Sequence, residues 1–169
     1  MAAEVAAVDV LRVGDDVNDS VASLLGRFGL EFVRVAAGEE IAGSYWGEPE
    51  AGIVGHRLYA RADTPLHSVL HEAAHLICMT AERRDALYRD AGGDDLEEAA
   101  VCYLQILLAD HIAGLGRDRL MRDMDAWGYS FRLGSTARWF AADSADARGW
   151  LESARLIGPG GEPRWVLRQ

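Results

Sequence analysis

The sequence predicts a single α+β domain. Three observations carry that expectation. The chain has 169 residues, the length of one ordinary domain. Half of its residues are hydrophobic and 26% are charged, so it can build a buried core rather than stay disordered. Some stretches repeat apolar residues at helical spacing, while others alternate as strands do. There is no internal repeat and no low-complexity segment. No domain boundary falls inside 14–157, and 158–169 reads as a C-terminal tail of the same domain 1–169.

Taken in order, residues 1–13 alternate weakly, with Val8, Val10 and Val13 around Asp9 and Arg12, and predict a short strand. Val17, Val21, Leu24, Leu25 and Phe28 share one helical face, and Gly29 suits the end of that helix. Leu30 to Ala36 reads as a strand, and 38–52 as a loop rich in glycine. Within that loop Tyr45 and Trp46 are expected to pack on the domain, with a lid or substrate wall as the alternative. Ile53 to Arg61 reads as one further strand, with His56 on it. Asp63-Thr64-Pro65 is a helix start, since Asp or Thr can cap and proline fits the first turn. That helix is expected to run to Glu82. Further helices are expected over 95–113, 117–127 and 143–156, with a short extended piece over 128–133. Cys78 and Cys102 sit in apolar helical patterns and read as small core residues.

The chain carries 17 Lys+Arg against 27 Asp+Glu, a formal charge of −10. Such a chain repels phosphate, so neither a general nucleic-acid binder nor an anionic-membrane binder is expected. Residues 1–9 have no basic flank and do not read as a secretory signal. The longest apolar stretch, 99–109, is interrupted by Gln105 and is too short to span a bilayer. With no disulfide framework, the reducing cytoplasm is the expected location.

The chemistry lies in His71-Glu72-Ala73-Ala74-His75, an H-E-x-x-H sequence. On a helix, residues 71 and 75 lie one turn apart on one face, where two imidazoles can meet one zinc ion. Glu72 then stands where it can hold and deprotonate a water. Leu66, Val69, Leu70, Ala73, Leu76 and Ile77 form the opposing apolar stripe. His67 shares the histidine face, as a neighbour rather than a ligand.

A zinc site needs a third ligand, and the next helix offers Glu97 and Glu98. By helical phase Glu97 sits among Ala100, Val101, Leu104 and Leu108. A carboxylate in an apolar stripe is costly unless it has a partner such as a metal. Glu98 lies on a more polar stripe with Gln105. Phase therefore favours Glu97, with the other glutamate left as a solvated first-turn acid.

With these residues the chain resembles a gluzincin, the zincin group in which H-E-x-x-H is joined by a glutamate from a second helix. It is most similar to the small bacterial ImmA/IrrE-type metallopeptidases. In those, a strand leads through a turn into the H-E-x-x-H helix, as Leu58 to Pro65 leads into Val69-Leu70-His71-Glu72. Their second helix has a glutamate, a small residue and an apolar run ending in paired leucines, as in Glu98-Ala99 through Ile106-Leu107-Leu108. The similarity covers about 53–109. It departs from the family pattern at Ala99 and Ala100, where an asparagine is common, and at Ala109-Asp110, where a proline is usual.

The resemblance implies a zincin-like domain: a small, mainly antiparallel sheet packed on the H-E-x-x-H helix, with the second ligand-bearing helix beneath. It implies Zn2+ held by His71, His75 and Glu98, which opposes the phase argument, so Glu97 and Glu98 are both carried forward. It implies that Glu72 is catalytic, in a zinc-dependent metallopeptidase that cleaves a protein or peptide substrate. Ile53 to Arg61 would bind substrate backbone as an edge strand. His111, Tyr103, Tyr129 and Arg132 are candidates to stabilise the oxyanion. The rival expectation is a zinc-containing module that binds or regulates a partner without proteolysis.

Overall fold

The computed structural model describes residues 8–169. Three strands, β1 (Glu31–Val35), β2 (Gly52–Val54) and β3 (Arg57–Arg61), follow the first helix, α1 (Ser20–Arg27). Six more helices complete the described residues: α2 (Leu66–Cys78), α3 (Ala81–Asp85), α4 (Asp95–Leu108), α5 (Gly116–Trp127), α6 (Thr136–Ala142) and α7 (Ala145–Ser153). The class is α+β, as the sequence predicts. The helix α1 ends in a six-residue closing turn: Leu30 N–H bonds the Leu25 carbonyl and Gly29 N–H the Gly26 carbonyl. Gly29 sits at φ +74, which an L side chain rarely adopts.

The sheet is mixed rather than mainly antiparallel. Its order is β1-β3-β2, with β1 parallel to β3 and β2 antiparallel to β3. The cause is a turn inside the stretch that reads as one strand. Val54 pairs with Arg57, so Gly55 and His56 form a two-residue hairpin loop, and Gly55 has φ +58. The chain then returns between β2 and β1, and β3 becomes the central strand.

The outer edge of β2 is also occupied. Ile53 N–H bonds the Gly43 carbonyl, and the Ile53 carbonyl accepts from Arg89 N–H. Gly55 N–H bonds the Leu87 carbonyl. The close crossing at Gly43 leaves no room for a side chain, since a Cβ there would lie 2.5 Å from the Ile53 oxygen. The expected substrate edge over 53–61 is therefore taken up by the protein's own backbone.

Helix α2 is buried along its whole length, including the histidine face. It packs on α4, α5 and the sheet, within one apolar cluster that also holds Leu24, Leu104 and Leu151. It ends at Cys78 rather than at Glu82, because Met79 is extended and the Thr80 hydroxyl accepts Arg83 N–H to start α3. The free carbonyls at the end of α2 have side-chain and tail partners. Arg84, 2% exposed, donates to Leu76 O at 2.8 Å and Met79 O at 2.7 Å. Arg168 N–H donates to Ile77 O, and its guanidinium to Cys78 O. The segment 158–169 is thus docked against α2.

Other expectations shift for local reasons. The hydroxyl of Thr64 accepts Arg61 N–H, so Pro65 stands at the helix start without a side-chain cap. Residues 8–13 contribute a single bridge, Arg12 to Pro65, and a short 3-10 turn follows; residues 1–7 of the expected strand lie outside the described residues. Val17 is exposed rather than on the buried face of α1. Helix α4 gives way at Ala109 to a 3-10 turn. The piece 128–133 is a turn segment, and α6 is a helix that the apolar pattern does not signal. Ser135 caps it, and Asp125 accepts Thr136 N–H at 2.9 Å. Among the described residues, no helix is long and apolar enough to cross a membrane.

Candidate metal centre

The two imidazoles one turn apart on α2 face the first turn of α4. His71 Nε2 lies 3.0 Å from one oxygen of Glu98, and His75 Nε2 lies 3.1 Å from the other. One donor atom from each of the three residues lies within 4.8 Å of the others, so the group has the geometry to hold a metal ion. Both histidines are about nine-tenths buried or more, while half of the Glu98 side chain is exposed.

The donor chemistry fits a cation. Gln105, fully buried on α4, donates its amide N–H to the His67 carbonyl at 2.9 Å. Its amide oxygen therefore faces His71 Nδ1, at 2.9 Å, and accepts the Nδ1 proton. That hydrogen bond leaves the Nε2 lone pair of His71 directed at the Glu98 carboxylate. Two such electron-rich groups need a positive charge between them, a proton or a metal ion. With protons in that place, burial opposes the charge on Glu98, but its hydrogen bonds to His71 and His75 prevail and hold it well below the usual carboxylate range.

Glu97 is placed elsewhere. Its carboxylate receives both Arg83 guanidinium nitrogens at 2.8 Å, and Arg168 at 3.2 Å. A carboxylate buried in the apolar stripe of α4 needs a partner, and here the partner is a pair of guanidiniums. Glu72 lines the same centre as the histidines. Burial raises its proton affinity, the nearby His71 and His75 lower it, and Glu98 raises it; the net shift is upward.

Two clefts meet at this centre and share His71, Glu72, Glu98 and Trp46. The larger, about 570 Å³, runs between the loop around Trp46 and the turn 127–131. The smaller, about 250 Å³, runs towards the Arg89–Gly93 loop. Tyr45 and Trp46 stand out from the surface, 53% and 71% exposed, instead of packing on the domain, so Trp46 forms a cleft wall.

Of the four oxyanion candidates, Tyr129 lines the larger of these two clefts. Its hydroxyl lies 3.3 Å from His67 Nδ1, and burial pushes it up to about 12. Its ring stands edge-on to His71, with centroids 5.9 Å apart. His111 packs against Trp165, Tyr103 stacks on Phe140, and Arg132 pairs with Asp143. His56 is at the hairpin turn, 3.0 Å from Asp85. Cys78 and Cys102 are both buried and unpaired, and Cys102 also lines the larger cleft.

The sequence reading missed two residues here. Gln105 carried a signal: it interrupts an apolar run and shares the Glu98 face of α4. Glu50, on the wall of the larger cleft, carried none, because it lies in an irregular loop. Comparison with family models, curated proteins and solved structures finds no match.

Proposed function

We propose that this chain is a zinc-dependent peptidase on a zincin-like domain, with His71, His75 and Glu98 as metal ligands and Glu72 as general base. The observation that carries this reading is the convergence of the three donors at the floor where two clefts meet, with Glu72 beside them. Two imidazoles and one carboxylate are a common donor set for catalytic zinc, with room for a water or substrate. When bound, the metal supplies Lewis acidity towards the scissile carbonyl and makes a water easier to deprotonate.

The chain's own residues do the rest. Glu72 takes the proton of the attacking water and delivers it to the leaving amine. Its buried setting, which raises its proton affinity, suits a group that must hold that proton between the two steps. Gln105 keeps the Nδ1 proton on His71 and so directs Nε2 to the metal. With the β2 edge occupied, the substrate chain lies along the clefts beside Trp46 rather than as an added strand.

The test pairs metal content with turnover. Wild type should hold about one zinc per chain and cleave members of a peptide library. Glu72→Gln should keep the zinc and lose roughly 10²–10⁴-fold in rate. Turnover that survives Glu72→Gln would remove the general-base role. Full zinc loading without any cleavage would instead favour a binding or regulatory module.

A further inference from the structure

We infer that the larger cleft selects a basic side chain of the substrate, and that Glu50 is the carboxylate that selects it. This rests on the peptidase reading and adds the substrate class. Outside the residues of the metal centre, the walls of this cleft carry five aromatic rings: Trp46, Trp127, Tyr129, Phe131 and Trp139. Glu50 is the one charged side chain among its other lining residues, and no arginine lines it. Glu72 is a like charge near Glu50, and His71 of the metal centre is an opposite one. Among the described residues Glu50 joins no ion pair.

This is a carboxylate among aromatic rings, in a cleft lined by no lysine or arginine and with only the metal-centre His71 acting on it as an opposite charge. Burial already raises its proton affinity. Filling the cleft with a neutral apolar side chain would strip its remaining water and leave it unpaired. An acidic side chain would add a further like charge beside Glu50 and Glu72. A cation resolves both problems. A guanidinium does so best, because it pairs with a carboxylate through two hydrogen bonds and stacks on aromatic faces. At about 570 Å³ the cleft is in the size range of small-ligand sites, roughly 300–1,000 Å³, which leaves room for an extended arginine. The smaller cleft holds Arg89 and Asp90 together, so it lacks such an unbalanced charge.

The test is calorimetric binding of peptide hydroxamates to the zinc-loaded full chain. The probes carry arginine, its neutral isostere citrulline, phenylalanine, or alanine with a free α-ammonium. Acetohydroxamate serves as the bare chelator. Wild type should bind the arginine compound about tenfold more tightly than the citrulline one, the scale of one charge-assisted pair. Glu50→Gln should close that gap with zinc content unchanged. Equal binding of arginine and citrulline, or tighter binding of phenylalanine, would overturn this inference while leaving the peptidase reading intact. An α-ammonium preference that depends on Glu50 would overturn the side-chain assignment. Failure to bind zinc or acetohydroxamate would overturn both readings. An arginine preference in a chain that cleaves nothing would overturn the peptidase reading alone.

Discussion

Glu97 and Glu98 are adjacent in the chain and serve opposite partners. Glu98 meets His71 and His75 at 3.0 and 3.1 Å, while Glu97 is clamped by Arg83 and Arg168. A helix turns about 100° per residue, so one step along α4 moves a carboxylate from the metal centre to the α3 side. Both stand in the first turn of α4, which Asp94 caps by accepting Glu97 N–H at 2.8 Å.

The pair gives a first prediction. Glu98→Ala should lose bound zinc, measured by metal analysis after dialysis, with little change in the stability of the metal-free protein. Glu97→Ala should keep zinc and lose stability. It leaves the Arg83 and Arg168 guanidiniums without their carboxylate, but both are about one-third exposed, so the cost in urea unfolding should be about 1–3 kcal/mol rather than that of a fully buried pair. Zinc lost with Glu97 and kept without Glu98 would reverse the ligand assignment.

Gln105 should control metal affinity without touching the metal. Gln105→Leu removes the acceptor that holds the Nδ1 proton of His71, and zinc affinity should fall roughly 10–100-fold. Gln105→Glu keeps an acceptor for that proton and should stay nearer wild type. Competition with a chromophoric chelator measures both. Equal affinity in Gln105→Leu would show that the hydrogen bond does not position the ligand.

His67 gives a pH dependence. It is buried between Trp127 and Tyr129, and Nε2 has no hydrogen-bond partner among the described residues. Burial first, then the His71 and Arg12 charges, lower it to about 3 from 6.5. The folded protein therefore keeps it neutral where the unfolded chain protonates it. Its stabilising contribution is complete above pH 6.5 and is lost as pH falls from there towards 3. Within that window it adds up to ~1.4 kcal/mol per pH unit to the slope of unfolding free energy. His67→Phe should flatten the slope by one proton in metal-free urea titrations at pH 5 and 6. An unchanged slope would place a protonated His67 in the folded state.

Arg84 should be a large single contributor to stability. It is buried and bonds three carbonyls, those of Leu76, Met79 and Arg168. Arg84→Met keeps the stem and removes these donors, so urea unfolding should show a loss of roughly 2–4 kcal/mol. A loss below about 0.5 kcal/mol would mean that water replaces the guanidinium at the end of α2.

Local pattern determined a good deal by itself. The apolar period placed the cores of α1, α2, α4 and α5. The H-E-x-x-H spacing set two imidazoles one turn apart, because a helix repeats every 3.6 residues wherever it forms. The tertiary structure decided what depends on contacts distant in sequence. It made the sheet mixed, since the Gly55-His56 turn is a local event but the insertion of β3 beside β1 is not. It buried the histidine face of α2, which reads from sequence as a polar stripe, by laying Glu98 and Gln105 over it. It drew the C-terminal segment onto α2, where Arg168 reaches Ile77, Cys78 and Glu97. The choice between Glu97 and Glu98 shows the division most plainly. Periodicity states that a buried carboxylate needs a positive partner, but which partner depends on what the fold brings across from another helix. For Glu97 that partner is an arginine pair, and for Glu98 it is two histidines placed to hold a metal ion with it.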